Sequence, residues 1–380
     1  MYKPTVSLKA GFLFPCSGVF KNLKSDFQQG FDLAMQESAV RVNVYPEFIQ
    51  TGALKTVEEV LNKLVLFENV DLVAGIIGTK VITSIIPLLE MHRVPAVISN
   101  LGADVPGWTM RSEYLFYNSL HLWKSQWALG KWAQQQYAGV PAINMAMYEA
   151  GYGLHECYRS GVAEAGATTL QLNVLRNYKG VGDTPALVEY LRQQQPGHAH
   201  ILLSGRDGLQ FLEEFSRSGL QEKIALTVNP FISGETGCGA AGAEGAYHHA
   251  LTWYPDMPSP ANRLFVAEYR TAYRQLPNVY SLLGYEMGLV LAAATAGITG
   301  KINRQELAAA LSAAAPEGPR GTIAMSTCSL QTKLPVYIQQ AGEQEPVYRA
   351  AATESIEWDH PSLAATVPVV SGWQNPYLCV

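Results

Sequence analysis

The sequence predicts an α/β protein of two lobes, each built on a parallel sheet. Three observations carry this expectation. At 380 residues the chain is too long for one ordinary core. Strand-like and helix-like patterns alternate from its beginning. The alternation starts afresh near residue 120, and the elements after residue 245 are too few for a third domain.

Element by element, Val6 to Phe14 alternates as a strand and stops at Pro15, and Asp26 to Glu37 places Phe27, Phe31 and Ala34 on one helical face. Val42 to Ile49 reads as a strand, and Val57 to Phe67 as a helix facing inward through Val60, Leu61, Leu64 and Val65. Leu72 to Ile77 is a short apolar run, the signature of a strand covered on both faces. Val81 to Met91 is helical and Pro95 to Ser99 extended. The second series places helices over Lys124–Tyr137, Tyr152–Ala165, Pro185–Gln194 and Gly208–Ser218. Thr184 serves as the N-cap of the third, with proline next to it. Strands fall over Ala142–Tyr148, Thr168–Leu175, Ile201–Leu203 and Ile224–Val228. The late elements are a strand within Gly245–Trp253, helices over Pro260–Arg274 and Ser281–Thr299, and a third helix to Ala314. Asn303 and Glu306 have the spacing of a capping box at its start. Thr322–Met325 and Pro335–Gln339 are short strand candidates. No low-complexity linker separates the halves, so several chain crossings form the hinge, and parallel sheets put sites at strand carboxyl ends.

Composition narrows the function. Hydrophobic residues make up 48% and charged residues 16%, the net charge is −5, and basic residues are scattered. This argues against nucleic acid and an anionic membrane surface as partners, and no apolar run is long enough to insert in a bilayer. The start, Met1 to Thr5, has no charged-then-apolar targeting pattern, which predicts a cytosolic chain or a mature form. Five widely spaced cysteines allow at most two disulfides and form neither a zinc spacing nor a C-x-x-C pair. There is no G-x-S-x-G, H-E-x-x-H or P-loop, and His248-His249 and Asp359-His360 lack metal-ligand spacing. Gly237 to Gly242 matches G-x-G-x-x-G but follows no good strand, so it reads as a loop rather than a nucleotide cradle. Cys16 has no assignable base and reads as small apolar filler. No enzyme activity, metal or cofactor is expected.

Four segments give the order of elements a resemblance. Pro15-Cys16-Ser17-Gly18 is followed by Gly30 in a helix. Gly75-Ile76-Ile77-Gly78-Thr79 precedes Val94-Pro95-Ala96-Val97-Ile98-Ser99. Tyr148-Glu149-Ala150-Gly151-Tyr152-Gly153 forms a tyrosine–glycine turn, and Ala243-Glu244-Gly245 is followed later by Pro319-Arg320-Gly321. In order and spacing, over roughly residues 5 to 345, these resemble the type I periplasmic binding proteins, especially binders of branched-chain amino acids and amides. The resemblance implies two Rossmann-like lobes joined by a multi-strand hinge. Lobe 1 is expected to span 1–119 plus 253–328, and lobe 2 120–252 plus 329–350. Residues 351–380, with Trp373 and Tyr377, fall outside it as an extension.

The resemblance also implies site residues. Thr79, between a buried strand and a helix, occupies the position of a serine or threonine that grips a ligand carboxylate, where the positive helix end assists; a plain N-cap is the structural alternative. Asn100 and Leu101 lie in the second gripping loop, Asn100 being its polar member. Tyr152 opens a second-lobe helix and offers both a ring and a hydroxyl to a cleft. Leu23 stands where relatives place an aromatic wall, and Trp123 where many have a small or acidic residue; Trp123 can stack on a ligand or pack in the hinge. Asp207 reads as an N-cap with Gln210 as box partner, and at the cleft edge it can meet a ligand cation. After Val228 the sequence Asn229-Pro230-Phe231-Ile232-Ser233 lacks the acid that relatives use for an amino acid's ammonium. Phe231, Trp123 and Tyr152 then suit an aromatic or apolar carboxylate, because a buried unpaired ammonium is costly.

The resulting expectation is a periplasmic, non-enzymatic solute-binding protein that closes on a small ligand and is recognised by an ABC permease. A cytosolic sensor of the same fold is the alternative, and a nucleotide-dependent enzyme is disfavoured by the missing fingerprint.

Overall fold

The computed structural model describes residues 6–105, 111–147, 149, 153–178, 181–234, 247–325, 334–343 and 345–350. Its first half runs β1 (Val6–Phe14), α1 (Leu23–Met35), β2 (Val40–Phe48), α2 (Leu54–Asn62), β3 (Leu72–Ile76), α3 (Thr79–His92), β4 (Ala96–Asn100) and β5 (Leu115–Ser119). Helix α2 continues into a wider π-type turn over Lys63–Phe67, which keeps Leu64 and Val65 inside. The five strands form one parallel sheet in the order β2-β1-β3-β4-β5. Strands β3, β4 and β5 are buried along their whole length, as continuous apolar runs require. One face packs against α2 and α3 through Leu13, Val73 and Ile98. The other packs on α1 through Phe12 and Phe14, with Phe27 and Phe31 ring to edge.

The second half runs α4 (Leu122–Tyr137), β6 (Pro141–Ala146), α5 (Leu154–Glu164), β7 (Gln171–Leu175), a hairpin of β8 (Asn177–Tyr178) and β9 (Val181–Gly182), α6 (Thr184–Gln194), β10 (His198–Leu202), α7 (Gly205–Ser218), β11 (Ala225–Val228) and β12 (Tyr247–Leu251). Then come α8 (Pro260–Tyr273), α9 (Val279–Thr295), α10 (Arg304–Ala313), the hairpin β13 (Glu317–Gly318) and β14 (Gly321–Thr322), β15 (Val336–Gln340) and β16 (Tyr348–Ala350). The second sheet reads β16-β15-β12-β11-β10-β6-β7, parallel from β7 to β12 and antiparallel at β15 and β16. Its parallel part repeats the order of the first sheet: β6 lies between β7 and β10 as β1 lies between β2 and β3. The expected α/β class with two doubly wound parallel sheets is what the chain forms.

The two lobes also share a packing device. A Cβ on Gly30 of α1 would lie 1.9 Å from the Ser281 carbonyl oxygen of α9, and one on Gly284 would lie 2.0 Å from the Phe27 carbonyl. In the second lobe Gly130 of α4 and Gly161 of α5 face backbone oxygens of Tyr158 and Trp127 at 2.4 and 2.1 Å. Each pair lets two helix backbones touch. Gly30→Ala is therefore expected to lower stability by about 1–3 kcal/mol through overpacking. Gly297→Ala, where a Cβ meets nothing within 4 Å, should stay within about 0.5 kcal/mol of the parent in the same thermal melts.

Three crossings join the lobes: β5 to α4, β12 to α8, and β14 to β15. One guanidinium gathers them. Arg320 donates from Nε to Glu286 Oε1 at 2.9 Å and from Nη2 to Glu286 Oε2 at 2.5 Å. It also reaches the Ser119 carbonyl at 2.9 Å, Asn118 Oδ1 at 3.0 Å and Thr252 Oγ1 at 3.3 Å. Asn118 donates in turn to Glu286 Oε2 at 2.8 Å, and Thr252 to the Leu120 carbonyl at 2.8 Å. From α4, Lys124 Nζ holds the Leu334 carbonyl of the third crossing at 3.0 Å.

Several details depart from the sequence reading. Strand β5 lies ahead of residue 120 and completes the first sheet. Asp183, not Thr184, caps α6, its side chain accepting from Ala186 N at 3.1 Å. Ser204, not Asp207, occupies the N-cap of α7, and Asp207 sits inside the first turn. The Asn303 cap of α10 is present, its side chain accepting from Gln305 N and Glu306 N. Cys16 is exposed and Cys157 buried, both unbridged; the other three cysteines and the Gly237–Gly242 loop lie outside the described residues.

Candidate functional site

In a doubly wound sheet the strand order reverses at one place, and the loops leaving the carboxyl ends of the two strands there diverge to leave a crevice. In lobe 1 this place is between β1 and β3, and in lobe 2 between β6 and β10. Helices α1, α3, α5 and α7 begin on these loops, so their positive ends turn toward the same region.

On the first-lobe side, Gly78 is extended at the N-cap of α3 and Thr79 is the first helical residue, buried. Its hydroxyl lies 3.2 Å from Asn100 Nδ2 and 3.4 Å from the Tyr117 hydroxyl. Asn100, the last residue of β4, also donates to the Ile77 carbonyl at 2.9 Å. Its Oδ1 accepts from Tyr117 OH at 2.6 Å, Gly102 N at 2.8 Å and Ser119 Oγ at 3.1 Å. The amide is thus spent on ordering the two loops. Because Tyr117 gives its proton to Asn100, the Thr79 hydroxyl, which accepts from Asn100, is the donor in its 3.4 Å contact with Tyr117, a long bond from which its proton can turn to a ligand. Burial raises the Tyr117 phenol above its ordinary value, so it stays protonated as Asn100's donor.

Leu101 is buried beside this network, and the start of α4 is pinned to it: Leu122 N donates to the Leu101 carbonyl at 3.0 Å and Trp123 N to Gly102 O at 2.9 Å. His121, at the N-cap of α4 in a left-handed conformation (φ 54°), stands 6.3 Å from the Trp123 ring, edge on. Its buried Nδ1 has no hydrogen-bond partner. Burial, then the charges of Arg320 and Lys124, hold its pKa well below the ordinary imidazole value. Thr79, Asn100, Leu101 and Trp123 therefore form one contiguous group.

Two contacts close the lobes on either side. Phe20, in the loop before α1, meets Phe231 of the second lobe at 5.1 Å and Tyr280 at 4.8 Å, edge to face. Asp104, beyond β4, accepts from Gly153 N of the second lobe at 3.1 Å and faces Lys80 at 3.6 Å. Burial raises the Asp104 pKa, and Lys80 opposes that rise. Phe231 is oriented by its N–H, which donates to Asn229 Oδ1 at 2.7 Å. Leu23 begins α1 and is buried in the core three residues beyond Phe20. Asp207 is buried in lobe 2, where its Oδ2 accepts from Gly182 N of the small hairpin at 2.9 Å. Tyr152 lies outside the described residues.

A residue that sequence reasoning passed over stands at the second-lobe reversal. Glu149, between β6 and α5, is 1% exposed. Ser204, at the carboxyl end of β10, donates to its Oε1 at 2.6 Å, and its Oε2 has no partner. Burial pushes its pKa up to about 8, the serine hydrogen bond only partly opposing this. The available signal was its being the acid in a loop that leaves the strand at the reversal. Among the described residues no three histidine, cysteine or acidic side chains gather to hold a metal, and no helix is long and apolar enough to cross a membrane.

Comparison with known proteins agrees with this architecture. The sequence model of a family described as "Periplasmic binding protein" matches residues 7–346. "Leu/Ile/Val-binding protein homolog 6" of Brucella melitensis biotype 1 is 23% identical over 332 residues, 82% of each chain. Among solved structures, the solute-binding protein of an ABC transporter from R. palustris in complex with benzoate superposes with a TM-score of 0.75. It is 22% identical and the match covers 92% of this chain and 98% of that one. The branched-chain amino acid transporter substrate-binding protein of Streptococcus pneumoniae in complex with isoleucine gives 0.68 at 13% identity, over 91% and 99%.

Proposed function

This chain belongs to the periplasmic binding protein family, and from that premise we propose that it is the extracytoplasmic solute-binding component of an ABC importer. It binds a small carboxylate-bearing ligand between its lobes without chemical turnover. The single observation that carries this reading is Thr79, a buried hydroxyl on the first turn of α3, ordered by Asn100 at the reversal of strand order. A helix N-terminus with a buried hydroxyl on its first turn suits an anion. Leu101, Trp123 and Phe231 supply apolar walls for the rest of the ligand. The solved relatives that bind benzoate and isoleucine support a carboxylate with an apolar body. Residues 118–120, 252 and 320 mark the hinge in this reading, and closure is a ligand-driven population shift whose closed form the permease recognises.

Calorimetry and thermal shift with amino acids and aromatic and aliphatic monocarboxylates test it. Binding should raise the melting temperature by mass action. Thr79→Ala should weaken binding by about 1.5–3 kcal/mol, a loss of tenfold or more, with the melting temperature of the free protein nearly unchanged. Consumption of a stabilising compound by pure protein, or full affinity in Thr79→Ala, would overturn the reading.

A further inference from the structure

We propose that Glu149 is a specificity-determining residue of the cleft, where it recognises a hydroxyl group on the ligand from the second-lobe side. This deepens the carboxylate reading above and rests on it. The loop that carries Glu149 leaves β6 at the reversal of strand order, and Gly153 on the same loop touches Asp104 of the first lobe at 3.1 Å. Glu149 thus lies on a loop at the seam between lobes.

Its hydrogen bonding is half complete. Oε1 is satisfied by Ser204, while Oε2 is buried and unpartnered. A buried polar atom without a partner is destabilising, and a ligand hydroxyl removes that cost. The ionisable groups on the surrounding elements are Lys80 and Asp104 of lobe 1, Arg206 and Asp207 in the first turn of α7, and His155 and Glu156 on α5. Lys80 faces Asp104, Asp207 accepts from the Gly182 backbone, and Glu156 binds Arg159 at 2.7 Å and lies 3.5 Å from His155. Burial is the largest influence on Glu149, and among the described residues only the Ser204 hydrogen bond opposes it. Burial favours the protonated acid, and with Oε1 already accepting from Ser204 its Oε2 is the oxygen placed to donate to a ligand. A neutral oxygen that accepts that hydrogen bond fits, and the convergent positive helix ends disfavour an ammonium. A ligand bearing a carboxylate for Thr79 and a hydroxyl for Glu149 spans both lobes and ties closure to recognition.

The test measures benzoate, 3-hydroxybenzoate, 4-hydroxybenzoate, phenylalanine and 3-phenylpropionate by calorimetry on the parent, Glu149→Gln and Glu149→Leu. Circular dichroism melts establish that each variant is folded. The parent should prefer one hydroxybenzoate over benzoate by about tenfold or more. Glu149→Leu should abolish that preference, and Glu149→Gln, which can still donate, should retain most of it. Raising the pH from 6.5 to 8.5 should cost the parent about fourfold in affinity for the hydroxylated acid, the dilution of the protonated form for a group titrating near 8. Glu149→Gln should lack this fall. Equal preference in the parent and a folded Glu149→Leu overturns the assignment of Glu149 alone. Phenylalanine bound more tightly than 3-phenylpropionate, with the advantage lost in Glu149→Gln, overturns it in favour of a counter-charge for an ammonium. If no acid binds the parent, the carboxylate reading fails and this inference fails with it.

Discussion

Arg320→Met is expected to destabilise the protein by about 3–5 kcal/mol, because it leaves an uncompensated charge on Glu286 deep in the hinge. The two side chains are 3% and 1% exposed, and the guanidinium makes five hydrogen bonds, to Glu286, Asn118, Thr252 and the Ser119 carbonyl. The pair as a whole contributes far less than this figure, since taking both charges from water is itself costly. The double variant Arg320→Met/Glu286→Leu should therefore recover much of the loss. Urea unfolding of the two single variants and the double variant measures this coupling. Additive single-variant costs would show that the two groups do not act as a unit.

Acidification is the second large effect. Four histidines lie on β10 and β12 of the second sheet. His198 Nδ1 is 3.2 Å from the Tyr158 hydroxyl, and His200 stacks on the Tyr158 ring at 3.8 Å with Nδ1 3.0 Å from Thr227 Oγ1. His248 lies against Trp132 and Tyr137, and His249 is buried with Nδ1 unpartnered. Burial holds all four below the ordinary imidazole value, His198 and His249 down to about 4 and His200 well below 6.5. A group depressed on folding adds no penalty above its unfolded pKa near 6.5. Below that the unfolded chain binds the extra proton, and stability falls until the folded pKa is passed. For His198 and His249 this is about 3 kcal/mol each, at about 1.4 kcal/mol per pH unit. Against a total of roughly 5–15 kcal/mol, melting temperatures should drop steeply between pH 6.5 and 4. His198→Gln and His249→Gln should flatten that slope; a profile unchanged in both variants would place the acid sensitivity elsewhere. Glu149 acts with the opposite sign. Raised on folding, its contribution is complete below its unfolded pKa near 4.5 and is lost as pH climbs through about 8.

Much of the fold was legible because long parallel strands and their helices have distinct periods. Leu72–Ile76 could only be an inner strand, and Phe27 and Phe31 fixed the buried face of α1. Strand β5 was missed because Leu115–Ser119 ends in Asn118 and Ser119, polar residues that break the apolar run. Their partners, Arg320 and Asn100, come from elsewhere in the chain. The N-terminus of α7 was misplaced because Asp207 has the composition of a cap, yet its carboxylate is taken by Gly182 of a hairpin that no local pattern reveals. Of the candidate site, Thr79 could be named from its place after β3 and Asn100 from its place at the end of β4. Glu149 could not, since nothing in Tyr148-Glu149-Ala150 says that Ser204 will meet one oxygen and leave the other bare.

The pairing of α1 with α9 has a consequence for the order in which the molecule is assembled. The five strands of the first sheet and α1 are complete by Ser119, but α9, which packs on α1 and reaches β4 and β5, begins only at Val279. A chain emerging from its N-terminus carries that sheet with the α9-facing side of α1 bare while some 160 further residues are delivered. The second sheet's parallel strands, by contrast, are complete by Leu251 and draw their covering helices from the same stretch. The later lobe can therefore mature first, and the earlier one waits as a sticky half-structure.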